Sequence, residues 1–187
     1  MKKGLIAVGV LALVVLMAGG SCIGRYNTFV TANEQIDGAW AQVENVLQRR
    51  SDLIPNLVAT VQGFAAQERE IFIEVANARS RLAGTVSPAE AGAANAGLTG
   101  ALGRLLAISE NYPQLRSNEN FIRLQDELAG SENRIAVERR RYNDTVRDFN
   151  TRVRQFPNSA MAGLFGFEPR EYFEADEGAQ DVPTVEF

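Results

Sequence analysis

The sequence predicts an all-α protein in which an N-terminal transmembrane helix is followed by an antiparallel bundle of about four helices. Two observations predict this fold class. The first is a run of twenty uncharged residues, Gly4–Ile23, which has the length that a helix needs to cross a bilayer. The second is that apolar residues recur at intervals of three, four and seven through most of the remaining chain, without the alternation typical of strands.

The apolar run is longer than the hydrophobic region of an ordinary signal peptide. It is followed by an arginine and a tyrosine, residue types that are common at membrane interfaces. We therefore expect residues 1–25 to form a retained, single-pass membrane anchor. Two lysines precede the run, which predicts a cytoplasmic N-terminus and an extracytoplasmic domain. Cys22 is the only cysteine, and cleavage before it with lipidation of its thiol is the less favoured alternative.

The bundle is predicted to begin as a direct continuation of the anchor and to cover residues 26–173. Phe29, Ile36 and Val43 repeat at seven, beside Trp40, and define one face of the first helix. The segment around Pro55 predicts a break before a second helix that reaches residue 83, and a kink in one long helix is the alternative.

The third and fourth helices have clear sequence boundaries. Ser87 and Pro88 are typical of a helix start, and the glycine-rich helix that follows either packs closely on a neighbour or is mobile. It ends near Tyr112-Pro113. The fourth helix carries an unbroken series at seven, which indicates coiled-coil-like packing: Phe121, Leu128, Ile135, Tyr142, Phe149 and Phe156.

Two charged residues lie at the edge of the apolar stripe of the fourth helix. Glu132 and Arg139 share a helical row there, and buried charges are normally paired. We expect a polar layer that fixes helix register. Its pairings stay open: the two residues meet each other, or they meet Arg49, Arg50 or Asn33. A ligand or ion site in the bundle centre is the functional alternative.

The C-terminal part of the chain divides into an apolar segment and an acidic tail. Leu164, Phe165 and Phe167 belong to a short aromatic stretch that we expect to fold back and close one end of the bundle. An exposed contact patch is the alternative. Residues 174–187 carry acids and no base, which predicts a disordered tail.

Composition argues against several classes of function. The net charge of −4 disfavours a nucleic-acid-binding protein. Histidine is absent, so the commonest general base and transition-metal ligand is missing. No phosphate-binding loop is evident. The sequence therefore predicts no enzyme, no cofactor, no metal site and no small-molecule substrate.

Several short motifs in a fixed order resemble the LemA family over essentially the whole chain. The motifs are these: Gly24-Arg25-Tyr26-Asn27, Ala39-Trp40-Ala41-Gln42-Val43, residues 48–58 (QRRSDLIPNLV), Glu110-Asn111-Tyr112-Pro113, Asn118-Glu119-Asn120-Phe121, Glu132-Asn133-Arg134-Ile135-Ala136, Arg141-Tyr142-Asn143-Asp144, Phe156-Pro157 and Leu164-Phe165-Gly166-Phe167. The resemblance implies a bacterial single-pass protein of the cytoplasmic membrane with a helical bundle. It implies no catalytic residue.

The functional hypothesis is a membrane-anchored scaffold or adaptor that binds other envelope proteins or associates with itself. A membrane-remodelling or lipid-binding organiser is the alternative. The residues expected to set its shape or its contacts are Trp40, Arg49, Arg50, Pro55, Tyr112, Pro113, Phe121, Glu132, Arg134, Arg139, Tyr142, Leu164, Phe165 and Phe167.

Overall fold

A computed structural model describes residues 2–173, apart from the side chains of residues 2–8, 10, 14, 15 and 18. Residues 2–173 form helices and no strand, which confirms the predicted all-α class. The helices are α1 (Lys2–Gln62), α2 (Arg69–Ala83), α3 (Pro88–Ala107), α4 (Pro113–Arg116), α5 (Glu119–Arg154) and α6 (Asn158–Phe165), with a 3-10 turn, Ile108–Asn111, between α3 and α4.

The predicted membrane anchor lies in the first part of α1, where several side chains are outside the described residues. Over the part of the chain that the structure describes, no helix contains a stretch both long and apolar enough to span a bilayer. The predicted acidic tail, residues 174–187, lies outside the described residues altogether.

The chain forms two compact units, each with its own core. Among the described residues, unit 1 combines residues 2–38 with Asp144–Arg170, and unit 2 combines Ala39–Asn143 with residues 171–173. The core of unit 1 includes Phe29, Ile36, Val146, Phe149, Val153 and Ala162. The core of unit 2 includes Val43, Ile54, Leu57, Val75, Leu98, Leu105, Leu115, Phe121 and Ile135.

The heptad series of the fourth predicted helix lies on α5 and is buried except at its end. Its first five members, from Phe121 to Phe149, are each at most 6% exposed. Phe156 is 87% exposed, so its predicted place in the core is wrong. The reason is that α5 ends at Arg154, before the side chain of Phe156 can continue the stripe.

The start of α3 follows the prediction. The Ser87 hydroxyl accepts a hydrogen bond from the Glu90 backbone N–H at 3.3 Å, and the Glu90 carboxylate accepts one from the Val86 N–H at 3.0 Å. Pro88 occupies the first turn, where its missing N–H has no intrahelical role. Together these contacts satisfy donors that a helix start otherwise leaves unpaired.

The predicted helix break at Pro55 is wrong, because α1 continues through it to Gln62. A proline inside a helix removes the hydrogen bond to the carbonyl four residues earlier, here that of Ser51. Nε of Arg79, on α2, donates to that carbonyl at 3.1 Å and lies equally close to the Ser51 hydroxyl oxygen. A side chain from a second helix thus replaces the bond that Pro55 cannot make.

The interruption that the sequence places at Pro55 occurs instead after Gln62. Gly63 follows α1, and the Phe64 and Ala65 N–H groups both donate to the Val61 carbonyl, which closes the last turn. Phe64 is 36% exposed, because it stands in this turn rather than in a helix.

Replacing Arg79 by methionine should lower the free energy of unfolding by about 1–2 kcal/mol, because the Ser51 carbonyl loses its donor. In a Pro55→Ala background the same change should cost much less, since the backbone N–H of the new alanine would bond to that carbonyl. Denaturant unfolding of the four proteins in this double-mutant cycle measures the coupling. Equal costs of Arg79→Met in both backgrounds would contradict this account of the helix.

Candidate functional site

A buried arginine joins three helices in unit 2. Arg50, on α1, is 4% exposed. Its Nη1 donates to Oδ1 of Asn95 on α3 at 2.7 Å and lies 2.6 Å from Oε2 of Glu132 on α5. The meeting of Arg50 with Glu132 is one of the pairings that the sequence left open. We call these three residues the Arg50 cluster.

The buried positive charge of Arg50 is balanced by its partner Glu132. Desolvation by burial lowers the pKa of its guanidinium, whereas the negative charge of Glu132 acts to raise it. Arginine remains protonated in proteins, so the buried cation requires the carboxylate. The Glu132 side chain is 44% exposed as a whole, although its Oε2 atom, which contacts Arg50, is buried. The arrangement suits a polar layer that fixes the register of α1, α3 and α5.

Unit 2 also contains an aromatic cluster. The rings of Trp40 and Tyr142 have centroids 5.4 Å apart, and those of Trp40 and Phe173 are 6.2 Å apart. The Tyr142 hydroxyl donates to the Glu171 carbonyl at 2.8 Å. Asn143 binds the Phe173 backbone twice, because its amide donates to the carbonyl and accepts from the N–H, each at 2.9 Å. These contacts fix residues 171–173 on α5.

In unit 1, a second asparagine side chain forms two hydrogen bonds with the backbone of one residue in the same way. The Asn150 amide donates to the Arg170 carbonyl at 2.9 Å and accepts from the Arg170 N–H at 2.7 Å. The Arg170 guanidinium then reaches α1, where it contacts Asn33 Oδ1 at 3.1 Å and Asp37 Oδ1 at 2.5 Å. Asn33 therefore pairs with Arg170.

Aromatic residues after α5 pack on α1 in unit 1. Tyr26 meets Phe165 edge-on with centroids 5.0 Å apart, and Phe29 stacks on Phe167 at 5.1 Å. Leu164 is nevertheless 73% exposed. The predicted burial of the closing segment is wrong for Leu164, because α6 directs this side chain away from the core of unit 1. Phe173, farther along the chain, is buried in unit 2.

An open cleft of about 750 Å³ lies between α2 and α3 in unit 2. Glu74 and Arg104 form a salt bridge between these two helices and both line the cleft. Its remaining lining is made mainly of small residues of α3 and polar residues of α2. Within residues 2–173, no three acidic, cysteine or histidine side chains stand close enough together to hold a metal ion.

The loop residues that the sequence selected form a small polar contact in unit 2. The Tyr112 hydroxyl donates to Glu68 Oε1 at 3.1 Å and accepts a hydrogen bond from the Gln67 side chain. Pro113 occupies the first turn of α4. Tyr112 therefore ties the connection before α4 to the connection before α2.

The other selected residues are not brought together at one place. Phe121 is buried, Arg139 is half-buried, and three are exposed: Arg49, Pro55 and Arg134. Sequence reasoning missed several residues that the structure shows to be important for packing: Arg79, Asn95, Asn143, Asn150 and Arg170. The sequence does contain a pattern that could have identified Asn143 and Asn150. They are seven residues apart, and each directly follows a member of the buried series, so both lie next to the buried face of α5.

The fold and its polar contacts define a class of all-helical proteins in which buried polar side chains join long helices. The profile of the LemA family matches residues 39–187, and the chain belongs to this family. It is 30% identical to magnetosome protein MamQ 2 of Paramagnetospirillum magneticum and to magnetosome protein MamQ of Magnetospirillum gryphiswaldense, over 97% of this chain and 75% of each relative. It is 24% identical to protein LemA of Metamycoplasma hominis, over 88% of this chain and 76% of that relative.

Proposed function

We propose that this protein is a membrane-anchored, non-enzymatic helical scaffold of the bacterial cell envelope that binds other envelope proteins. One observation carries the proposal. The apolar run Gly4–Ile23 and the buried residues Phe29 and Ile36 lie on a single uninterrupted helix, α1. A run of this length suits a bilayer, and the continuous helix would hold the core of unit 1 directly beside the membrane.

The proposed location is the cytoplasmic membrane, crossed once, with the helical domain on the extracytoplasmic side. Lys2 and Lys3 before the run support this orientation. The magnetosome proteins among its relatives support the bacterial setting. Lipidation of Cys22 after cleavage remains the less favoured mode of attachment, since it would remove the apolar run that α1 carries.

The proposed protein-binding surface is the exposed side of α3. Gly97, Gly100 and Gly103 are exposed there, and a Cβ atom added at any of them would meet nothing within 4 Å. Packing inside this chain therefore does not require glycine, although each costs about 1 kcal/mol of helix propensity relative to alanine. The cleft between α2 and α3 adjoins this surface and adds the charged pair Glu74 and Arg104. We call this region the α3 surface.

Replacing Gly97, Gly100 and Gly103 together by alanine should stabilise the protein by roughly 2–3 kcal/mol, because each change gains helix propensity without a clash. Thermal unfolding of the full chain in detergent, followed by circular dichroism, measures the effect. A lower unfolding temperature would show that these glycines are needed within the chain and would remove the argument for a partner.

Site-specific cross-linking in living cells tests the adaptor function itself. A photoreactive amino acid at Ala93, an exposed residue of α3, should capture a defined envelope protein. The same amino acid at Val137, which is 64% exposed on α5, is the matched control and should not capture it. Capture from both positions, or from neither, would contradict binding at the α3 surface.

A lipid-binding organiser is the second candidate, and one observation favours it. Phe156 and Leu164 are 87% and 73% exposed in unit 1, although apolar side chains of this size are usually at least partly buried. Capture of a specific envelope protein at the α3 surface is expected of the scaffold alone, and it therefore separates the two candidates.

A further inference from the structure

Helix α6 packs on α1 at the point where the apolar run ends. Met161 Sδ lies 4.0 Å from Cys22 Sγ, and the ring of Phe165 meets that of Tyr26. Both contacts fall on residues 22–26 of α1. An α-helix rises 1.5 Å per residue, so this part of α1 extends only about 4–5 Å beyond the last apolar residue of the run.

Several apolar side chains near these contacts are exposed: Phe156, Leu164 and Ile23. Leu164 follows Met161 by three residues and is therefore its neighbour on the surface of α6. Phe156 precedes α6 by two residues. On α1, Ile23 is 66% exposed and continues the apolar run toward α6. Exposed apolar side chains thus occur both at the end of the run on α1 and on α6.

Positive charge lies near these contacts as well. Arg25, Thr28, Phe29, Arg152 and Asn158 line a cavity of about 280 Å³ in unit 1. The Arg25 guanidinium donates to the Asn158 side chain, which holds it at the start of α6. Arginine is well suited to phosphate groups because its planar fork presents several donors.

We propose that residues 156–165 form a lipid-contacting surface on the leaflet in which the apolar run ends. Phe156 and Leu164 insert among the headgroups and upper acyl chains, and Arg25 and Arg152 bind lipid phosphates. The inference rests on the proposed membrane anchor. The headgroup layer on each side of a bilayer is about 5–7 Å thick, so a helix held within about 5 Å of the end of a membrane span lies inside that layer.

The other occupant that such a surface could accept is a second copy of the chain. The bilayer is favoured because the apolar run leads directly into the surface. The cavity beside it also carries two arginines and no acidic residue among its lining side chains. An identical copy would bring the same positive charges to the contact, whereas anionic lipid complements them.

Fluorescence quenching in vesicles tests the proposal on the full chain. In a Cys22→Ser background, which contains no other cysteine, an environment-sensitive dye is attached at Leu164→Cys or Phe156→Cys. Gly38→Cys is the matched control, because Gly38 is exposed in unit 1 and lies about 22 Å along α1 from Ile23. The vesicles contain phosphatidylethanolamine and phosphatidylglycerol with nitroxide-labelled lipid.

The dye at positions 164 and 156 should lose more than half of its fluorescence to nitroxide near the top of the acyl chains, and the dye at position 38 should lose little. A blue shift without lipid quenching would show that protein covers the surface and would overturn the proposal in favour of a second copy. Absence of both effects, in protein that still floats with vesicles after alkaline washing, would overturn it while the anchor stands. Loss of flotation would overturn the anchor and the inference together.

Discussion

Replacing Glu132 by leucine should lower the free energy of unfolding by about 3 kcal/mol, because it leaves the buried Arg50 with only the neutral Asn95 as a partner. This value is at the low end for a broken buried ion pair, since the Glu132 side chain is 44% exposed. Glu132→Gln keeps a hydrogen-bond acceptor and should cost less. Unfolding of the full chain in detergent measures both changes. Glu127→Leu, at an exposed position of α5, should stay within about 0.5 kcal/mol of the wild type.

The double variant Arg50→Met, Glu132→Leu should recover most of the lost stability, because no unpaired charge then remains in the core. Recovered stability in the double variant would show that Arg50 and Glu132 form a structural pair. If Glu132→Leu alone leaves stability unchanged and yet abolishes capture of the envelope partner in cells, the Arg50 cluster is a ligand site rather than a polar layer.

Replacing Tyr142 by alanine should cost about 4 kcal/mol, the larger of the two effects. Tyr142 is 1% exposed, and the change removes its ring from contact with Trp40 and leaves a cavity in unit 2. It also removes the hydrogen bond to the Glu171 carbonyl. Denaturant unfolding followed by tryptophan fluorescence suits this variant, because Trp40 is the only tryptophan.

Tyr142→Phe keeps the ring and removes the hydroxyl, and it therefore measures the contribution of the hydroxyl alone. It should cost about 1 kcal/mol, since it removes the hydrogen bond to the Glu171 carbonyl and keeps the ring, and it should increase protease sensitivity near residues 171–173. A cost for Tyr142→Phe as large as that of Tyr142→Ala would show that the hydroxyl, and not ring packing, dominates. That result would contradict the importance assigned to the aromatic cluster.

The sequence predicts the long helices well because their stability depends on a repeated pattern. The series from Phe121 to Phe149 places one apolar residue on the same face every two turns, and all five are buried. The start of α3 is equally local, since Ser87 and Glu90 cap residues only a few positions away. Structural features that depend on residues close together in the chain can be predicted directly from the sequence.

Features that depend on distant residues could not be predicted. Pro55 indicates a break when only its own helix is considered, and α1 continues because Arg79 supplies a donor from α2. The sequence left the partner of Glu132 open among several residues, because nothing in it shows that α1 and α5 bring Arg50 and Glu132 together. It also does not show that Asn95 of α3 binds Arg50. The position of α6 was missed for the same reason, since its contacts with α1 join residues more than 130 positions apart.

The most direct test of the proposed function compares cross-linking of the wild-type chain with that of the Gly97→Ala, Gly100→Ala, Gly103→Ala variant in living cells. The photoreactive amino acid is placed at Ala93, an exposed residue of the α3 surface, and the captured proteins are identified by mass spectrometry. We expect the wild type to capture a specific envelope protein, and the variant to lose it although the variant is more stable. Undiminished capture by the variant, or capture only of further copies of the chain and of lipid, would contradict the adaptor function and favour a self-associating membrane organiser.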